Sequence, residues 1–95
     1  MSHQGKYAIV RTYSAGVHAG IVKSQNGKEI VLENARRLWY WRGAFTLSAV
    51  ATKGIGDGSK ISVPVPEITL TEAIEIIPTT DEARDNIIAF PAHEG

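Results

Sequence analysis

The chain has 95 residues, of which 43% are hydrophobic and 21% charged, as expected for one folded domain. Ten basic residues balance ten acidic ones, so a general nucleic-acid-binding coat, which is usually basic, is disfavoured. The absence of cysteine excludes disulfides, thiolate metal sites and cysteine nucleophiles. No apolar run is long enough for a transmembrane helix, and the polar N-terminus does not resemble a signal peptide, so we expect a cytoplasmic protein without a membrane partner.

The first half of the chain predicts a β-meander, because β-branched and aromatic residues are concentrated in short runs separated by turn residues. The predicted strands span residues 6–13, 17–24, 29–34 and 35–43. A bend is expected near Asn34. The single β-rich domain is expected to occupy residues 6–90, with a disordered leader over 1–5 and a tail over 91–95.

Asn26 and Gly27 are typical of a two-residue hairpin turn, because both residues favour a positive φ. A turn at these positions would place Val22 opposite Val31, and apolar residues would then occupy both faces of the hairpin. Strands of this kind lie in a barrel, in a sandwich or at a subunit interface. Since a chain this short has little room for a core, we expect a homo-oligomer.

Two helices are predicted in the second half of the chain. Thr46 is placed to cap the first helix and Gly54 to end it. Thr79 and Glu82 have the spacing of a capping box and predict a second helix that runs to about Phe90. The residues expected on the buried sides of these helices are Leu47, Val50, Ala51, Ala83 and Ile87.

Extended segments are predicted between these helices. Pro64 and Pro66 confine residues 61–67 to a sheet edge or an irregular path. Residues 68–77 fit a strand or a helix, and their threonines and isoleucines, closed by Pro78, favour a strand. The predicted fold class is therefore α+β, with a β-rich meander or small barrel-like sheet, a short middle helix and a C-terminal helix.

The segment from residue 36 to residue 42 combines three arginines with three aromatic residues. On a strand, alternation would give two faces. One face would carry Arg37, Trp39 and Trp41, and the other would carry Arg36, Leu38, Tyr40 and Arg42. Aromatic rings stack on a nucleic-acid base with roughly 1–3 kcal/mol, and a guanidinium binds phosphate through two hydrogen bonds. The segment therefore predicts a nucleotide-like ligand, although the same residues could form a core with arginines packed over the rings.

Residues 12–20 supply two further candidates, Tyr13 and His18, which lie among glycines. Glycines let backbone N–H groups approach a phosphate, but the segment also fits a turn followed by a histidine on a strand. The glycine-rich residues 53–60 lack the preceding strand and following helix of a phosphate-binding loop. We predict no catalytic residue, no metal ligand and no cofactor, and therefore no enzyme.

Four segments resemble a family of small uncharacterised proteins encoded by tailed phages and prophages. The segments are IVRTYSAGVH, NGKEIVL, ARRLWYWRGAFTLS and VPEITLTEAIEIIPTT. The likeness covers about residues 8–82 and rests on the run of segments rather than on a functional motif. It implies a phage accessory protein in the host cytoplasm and carries over no catalytic residue.

Three functions fit these observations. We favour a non-enzymatic phage accessory protein that binds and sequesters a small nucleotide-like ligand, such as a host immune signal. The alternative is a structural or protein–protein interaction module, as a virion component or host-factor inhibitor, because Trp, Tyr and Arg are enriched at interaction hot spots. A single-stranded nucleic-acid binder is disfavoured by the zero net charge.

Overall fold

The computed structural model describes residues 4–43 and 46–92. The predicted leader and tail fall partly outside these residues, at 1–3 and 93–95. The described residues form six strands and two helices, which confirms the α+β class. In chain order these elements are β1 (Tyr7–Thr12), β2 (Val17–Asn26), β3 (Glu29–Tyr40), α1 (Leu47–Lys53), β4 (Lys60–Ile61), β5 (Val65–Leu70), β6 (Ala73–Pro78) and α2 (Asp81–Ala89). The helices found in the described part of the chain are both too short to cross a membrane.

All strand pairs are antiparallel, and the sheet order is β4-β3-β2-β1-β6, with β5 paired to β3 beside β4. In a flat sheet, four strand spacings would separate β5 from β6 by roughly 19 Å. The two residues that join these strands, Thr71 and Glu72, allow Leu70 and Ala73 to be at most about 11 Å apart. The sheet must therefore curl until β5 and β6 approach each other.

The curled sheet is buried on both faces. Its inner face holds one core cluster, made of Ala8, Val10, Val22, Ile30, Leu32, Ala35, Leu70 and Ala73. Its outer face packs against α1 and α2 in a second cluster, made of Tyr7, Ile9, Ala19, Leu38, Val50, Ala51, Ile55, Ile61 and Ile87. A homo-oligomer was expected because apolar residues would occupy both faces of the hairpin. A single chain covers both faces by itself. Oligomerisation therefore stays a prediction.

The first helix forms as predicted. Thr46 is its N-cap, and the Thr46 hydroxyl accepts a hydrogen bond from the backbone N–H of Ala49 at 3.1 Å. Gly54 ends the helix with a φ of 86°, a conformation in which a side chain would be strained. The predicted Val50 and Ala51 are buried, and they cover the outer face of the sheet.

The second helix begins one residue later than predicted. Its N-cap is Thr80, whose hydroxyl accepts a hydrogen bond from the backbone N–H of Ala83 at 3.1 Å. The Thr79 hydroxyl instead donates to the carbonyl oxygen of Tyr7 at 3.1 Å, so the expected capping box is wrong. Ala83 and Ile87 are buried as predicted.

The β2–β3 hairpin turn is also displaced by one residue. Asn26 pairs with Glu29, so the two turn residues are Gly27 and Lys28 rather than Asn26 and Gly27. Gly27 has a φ of 60°, whereas Asn26 stays in the strand. A turn that begins on glycine needs a positive φ at that one position, which explains why Asn26 is not required in the loop.

Two irregularities in the β2–β3 pairing change the register locally. They fall between Ala19 and Ile21 and between Val22 and Ser24. Val22 consequently lies opposite Leu32 and not Val31. The bend expected at Asn34 is an irregularity with a φ of 52° inside one continuous strand.

Residues 68–77 belong to two strands, β5 and β6, and not to a helix. The break between them lies at Thr71 and Glu72. Pro66 lies within β5, which pairs with β3 alone and is therefore an edge strand. An edge position suits Pro66, because proline has no N–H to donate to a second neighbouring strand.

Candidate ligand-binding site

The β2–β3 pairing places His18 directly opposite Arg37. The side chain of His18 is buried, and its Nε2 atom accepts a hydrogen bond from Arg37 Nε at 3.3 Å. A neutral imidazole carries its proton on one nitrogen only, so the proton of His18 lies on Nδ1. That Nδ1 atom is buried and has no hydrogen-bond partner among the described residues.

Two effects keep His18 neutral. Burial, the larger effect, and the positive charge of Arg37 together lower the pKa of His18 from 6.5 to about 4. The ring is therefore an acceptor for Arg37 at neutral pH, and it holds the exposed guanidinium in one orientation.

A pocket of about 210 Å³ opens beside this pair. Its walls are formed by His18, Ala35, Arg37, Trp39, Ser62, Val65 and Ile68. Trp39 is 51% exposed and offers a ring at the edge of the pocket. The pocket thus combines apolar walls, one aromatic ring and one cation, which is the arrangement that a planar ring with an anionic substituent requires.

Ser62 holds the backbone of β3 at Arg37 through two hydrogen bonds. Its hydroxyl accepts a hydrogen bond from the backbone N–H of Arg37 at 2.8 Å, and its own N–H donates to the carbonyl oxygen of Arg37 at 2.9 Å. The Ser62 hydroxyl also donates to the carbonyl oxygen of Val63. With its donor and acceptor engaged in this way, Ser62 positions Arg37 rather than a ligand.

Residues 5–87 match the model of a domain of unknown function, DUF6948. The chain belongs to the DUF6948 family. No curated protein and no solved structure matched the chain. Every wall residue of the pocket lies within the part of this chain that matches the DUF6948 model.

Arg36, the neighbour of Arg37, points to the other face of the DUF6948 sheet, where its side chain is buried. Its Nε donates to the carbonyl oxygen of Ser62 at 2.8 Å. Its Nη1 donates to the carbonyl oxygens of Ile87 at 2.8 Å, Ile88 at 3.3 Å and Phe90 at 2.7 Å. These carbonyls lie at the C-terminal end of α2, where a cation is favourable, so Arg36 ties β3 to α2. Burial lowers the pKa of Arg36.

The two tryptophans of the segment do not share a face, which corrects the prediction. Trp41 is half-buried and packs against the outer core cluster that contains Leu38, whereas Trp39 lines the pocket on the inner side. Alternation holds from Arg36 to Trp39 but fails at Trp41, because β3 ends at Tyr40.

The remaining candidates lie away from the pocket walls. Tyr40 is 51% exposed and Tyr13, in the β1–β2 loop, is 79% exposed. Arg42 donates its backbone N–H to the hydroxyl of Ser59 at 2.9 Å, and its side chain packs over Gly58. Of the predicted ligand-binding residues, the structure brings together His18, Arg37 and Trp39.

Sequence reasoning missed four wall residues of the pocket: Ala35, Ser62, Val65 and Ile68. Ala35 follows from the alternation that places Arg37 and Trp39 on one face, so its signal was present. The other three reach the pocket because β4 and β5 pair with β3. No local pattern in the sequence specifies that pairing.

Proposed function

We propose that this DUF6948 protein is a non-enzymatic binding module for a small nucleotide-like ligand, which it sequesters. The observation that supports the proposal is the pocket in which Arg37, held by a neutral His18, stands beside the exposed ring of Trp39. The ring of a base would stack on Trp39, and the phosphate would accept hydrogen bonds from the Nη groups of Arg37.

The size of the pocket limits how much of the ligand enters it. A cavity of about 150 Å³ accommodates benzene, and pockets for larger ligands usually exceed about 300 Å³. At about 210 Å³ the pocket has room for one planar ring, so the sugar and phosphate would stay at its mouth beside Arg37. A mononucleotide or a cyclic nucleotide satisfies this requirement.

The contacts also set the expected affinity. One stacked ring contributes roughly 1–3 kcal/mol, and hydrogen bonds to a charged group contribute about 1.5–3 kcal/mol. Their sum, about 2.5–6 kcal/mol, corresponds to a dissociation constant between tens of millimolar and tens of micromolar. Binding must therefore be tested with nucleotide at millimolar concentration.

The test is the melting temperature with mono-, di- and cyclic nucleotides. Ligand at about ten times its dissociation constant should add about 1.4 kcal/mol to the free energy of unfolding, which for this size is a shift of several degrees. Trp39→Ala should abolish the shift and Tyr40→Ala should retain it, because the two rings are equally exposed at 51% but only Trp39 lines the pocket. Arg37→Gln and the exposed Arg11→Gln form a second matched pair.

Two results would refute the proposal. One is a melting temperature that none of the nucleotides changes. The other is an equal loss of the shift in Trp39→Ala and Tyr40→Ala. Native mass spectrometry of the purified protein would report any nucleotide that co-purifies and, in the same spectrum, the number of subunits in the proposed homo-oligomer.

A protein-interaction module is the second candidate, and exposed apolar side chains at the pocket support it. Trp39, Val63 and Val65 are 51%, 51% and 39% exposed, and two of them line the pocket. The same walls would then accept an aromatic side chain from a partner, in the manner of an interaction hot spot. A partner retained by the immobilised wild-type protein but not by Val65→Asp, with no response to nucleotides, would favour this function. The phage origin and the accessory role of either function remain part of the proposal.

A further inference from the structure

A second cavity lies on the opposite side of β3 from the His18–Arg37–Trp39 pocket. It has a volume of about 170 Å³ and is lined by Tyr7, Ile21, Asn34, Arg36, Pro64 and Ile88. None of these residues lines the first pocket. The second cavity is therefore a separate site from the nucleotide site proposed above.

The cavity contains a buried cation whose charge is only partly balanced. Arg36 is 3% exposed, and its hydrogen bonds end on backbone carbonyls. The ion pairs formed among the described residues do not include it. The carbonyl oxygens at the C-terminal end of α2 carry only partial negative charges, so no full negative charge among the described residues balances Arg36. Such a charge is unfavourable in a buried position unless an anion is nearby.

The Nη2 group of Arg36 takes no part in the four hydrogen bonds described above. The four hydrogen bonds engage Nε and Nη1, whereas a guanidinium carries five N–H groups. The two N–H groups on Nη2 are not used in these bonds. They can therefore bind an oxygen acceptor without displacing the carbonyls of α2.

The Tyr7 hydroxyl, which lies in the same cavity, has no hydrogen-bond partner among the described residues. Tyr7 is 6% exposed, and its buried hydroxyl makes no hydrogen bond to any described residue. A buried hydroxyl without a partner carries an uncompensated desolvation penalty. Burial raises the pKa of Tyr7 to about 12, outweighing the opposite effect of Arg36, so the hydroxyl keeps its proton and can donate at neutral pH.

We propose that this cavity binds a small monocarboxylate with an apolar tail. The carboxylate accepts hydrogen bonds from Arg36 Nη2 and the Tyr7 hydroxyl, and the tail packs against Ile21, Pro64 and Ile88. A monoanion fits better than a phosphate dianion, since Arg36 is the one charged residue among the six that line the cavity. A volume slightly above the roughly 150 Å³ that accommodates benzene selects a ligand of about benzoate size.

Benzoate, its neutral analogue benzamide and the tailless acetate test the proposal. The dissociation constant of each is measured by NMR titration of the wild-type protein. We expect benzoate to bind at least about tenfold more tightly than benzamide, because the amide lacks the charge that pairs with Arg36. We expect acetate to bind more weakly than benzoate, because it leaves the apolar wall uncovered.

Tyr7→Phe is the decisive variant, because it removes the unpaired hydroxyl and keeps the ring in the core. It should fold as the wild type does and bind benzoate about tenfold more weakly. Trp39→Ala should bind benzoate as the wild type does, which separates this site from the nucleotide site. The proposal is overturned if benzoate and benzamide bind equally, if benzoate does not bind, or if Tyr7→Phe retains wild-type affinity. It is also overturned if Trp39→Ala lowers the affinity for benzoate, which would place benzoate in the first pocket.

Discussion

Replacing His18 with glutamine should remove much of the acid sensitivity of the fold between about pH 7.5 and about pH 5. In the folded protein, burial and Arg37 lower the pKa of His18 from 6.5 to about 4. The unfolded chain binds a proton at this side chain near pH 6.5, whereas the folded chain does not bind it until about pH 4. The contribution of His18 to stability is therefore fully present above pH 6.5 and is lost as the pH falls towards 4.

The two pKa values determine how large this loss should be. Across the whole interval from 6.5 to about 4, one group accounts for about 3 kcal/mol of the free energy of unfolding. Between about pH 7.5 and about pH 5, before most carboxylates take up protons, about 2 kcal/mol of this is lost. The total free energy of unfolding of a small domain is roughly 5–15 kcal/mol, so a loss of this size is large enough to measure.

Urea unfolding, followed by tryptophan fluorescence at both pH values, measures this loss. On acidification, the free energy of unfolding of the wild type should fall by about 2 kcal/mol more than that of His18→Gln. Glutamine offers a side-chain oxygen that can accept the hydrogen bond from Arg37 Nε, so the variant removes the titration more than the contact. Equal losses in the two proteins would refute the reasoning, as would an NMR titration in which the His18 ring of the folded protein gains its proton near pH 6.5.

Two further predictions concern the backbone that supports the sites. Gly20→Ala should lower the free energy of unfolding by about 1–3 kcal/mol, because the added Cβ would lie 3.0 Å from the carbonyl oxygen of Glu33 in the paired strand. The loss would appear as a lower urea midpoint. An unchanged midpoint would show that the backbone of β3 shifts to make room for the methyl group. Thr80→Ala should cost about 1 kcal/mol and speed hydrogen exchange at the N–H of Ala83, whereas Thr79→Ala should leave that exchange unchanged. Equal exchange in both variants would contradict the assignment of Thr80 as the cap.

The sequence predicted the parts of the site that depend on local geometry. Alternation along a strand placed Arg37 and Trp39 on one face and Arg36 and Leu38 on the other, and the structure agrees. The signal was reliable because β-branched and aromatic residues specify a strand over several consecutive positions. It failed at Trp41, where the strand has already ended.

The sequence could not predict the contacts that depend on register. Extending the predicted hairpin from Asn26-Gly27 would have placed His18 opposite Ala35. The turn displaced to Gly27 and Lys28 moves the register by two residues and places His18 opposite Arg37 instead, because the two irregularities in the β2–β3 pairing cancel each other at that point. Asn26-Gly27 is itself a preferred turn sequence, so no residue pattern indicated that the turn lies one residue further along the chain. The joint role of His18 and Arg37 was therefore visible only in the structure.

The position of β5 also determines when the pocket can come into existence. β5 pairs with β3 from Ala35 and Val65 to Ile30 and Leu70, which brings together residues from opposite halves of the chain. Such non-local pairs contribute stabilisation only after a long loop has closed. A nascent chain that ends before Val65 lacks two walls of the pocket, Val65 and Ile68. A ligand of this pocket would therefore need Val65 and Ile68 in place and would not stabilise a nascent chain that ends before them.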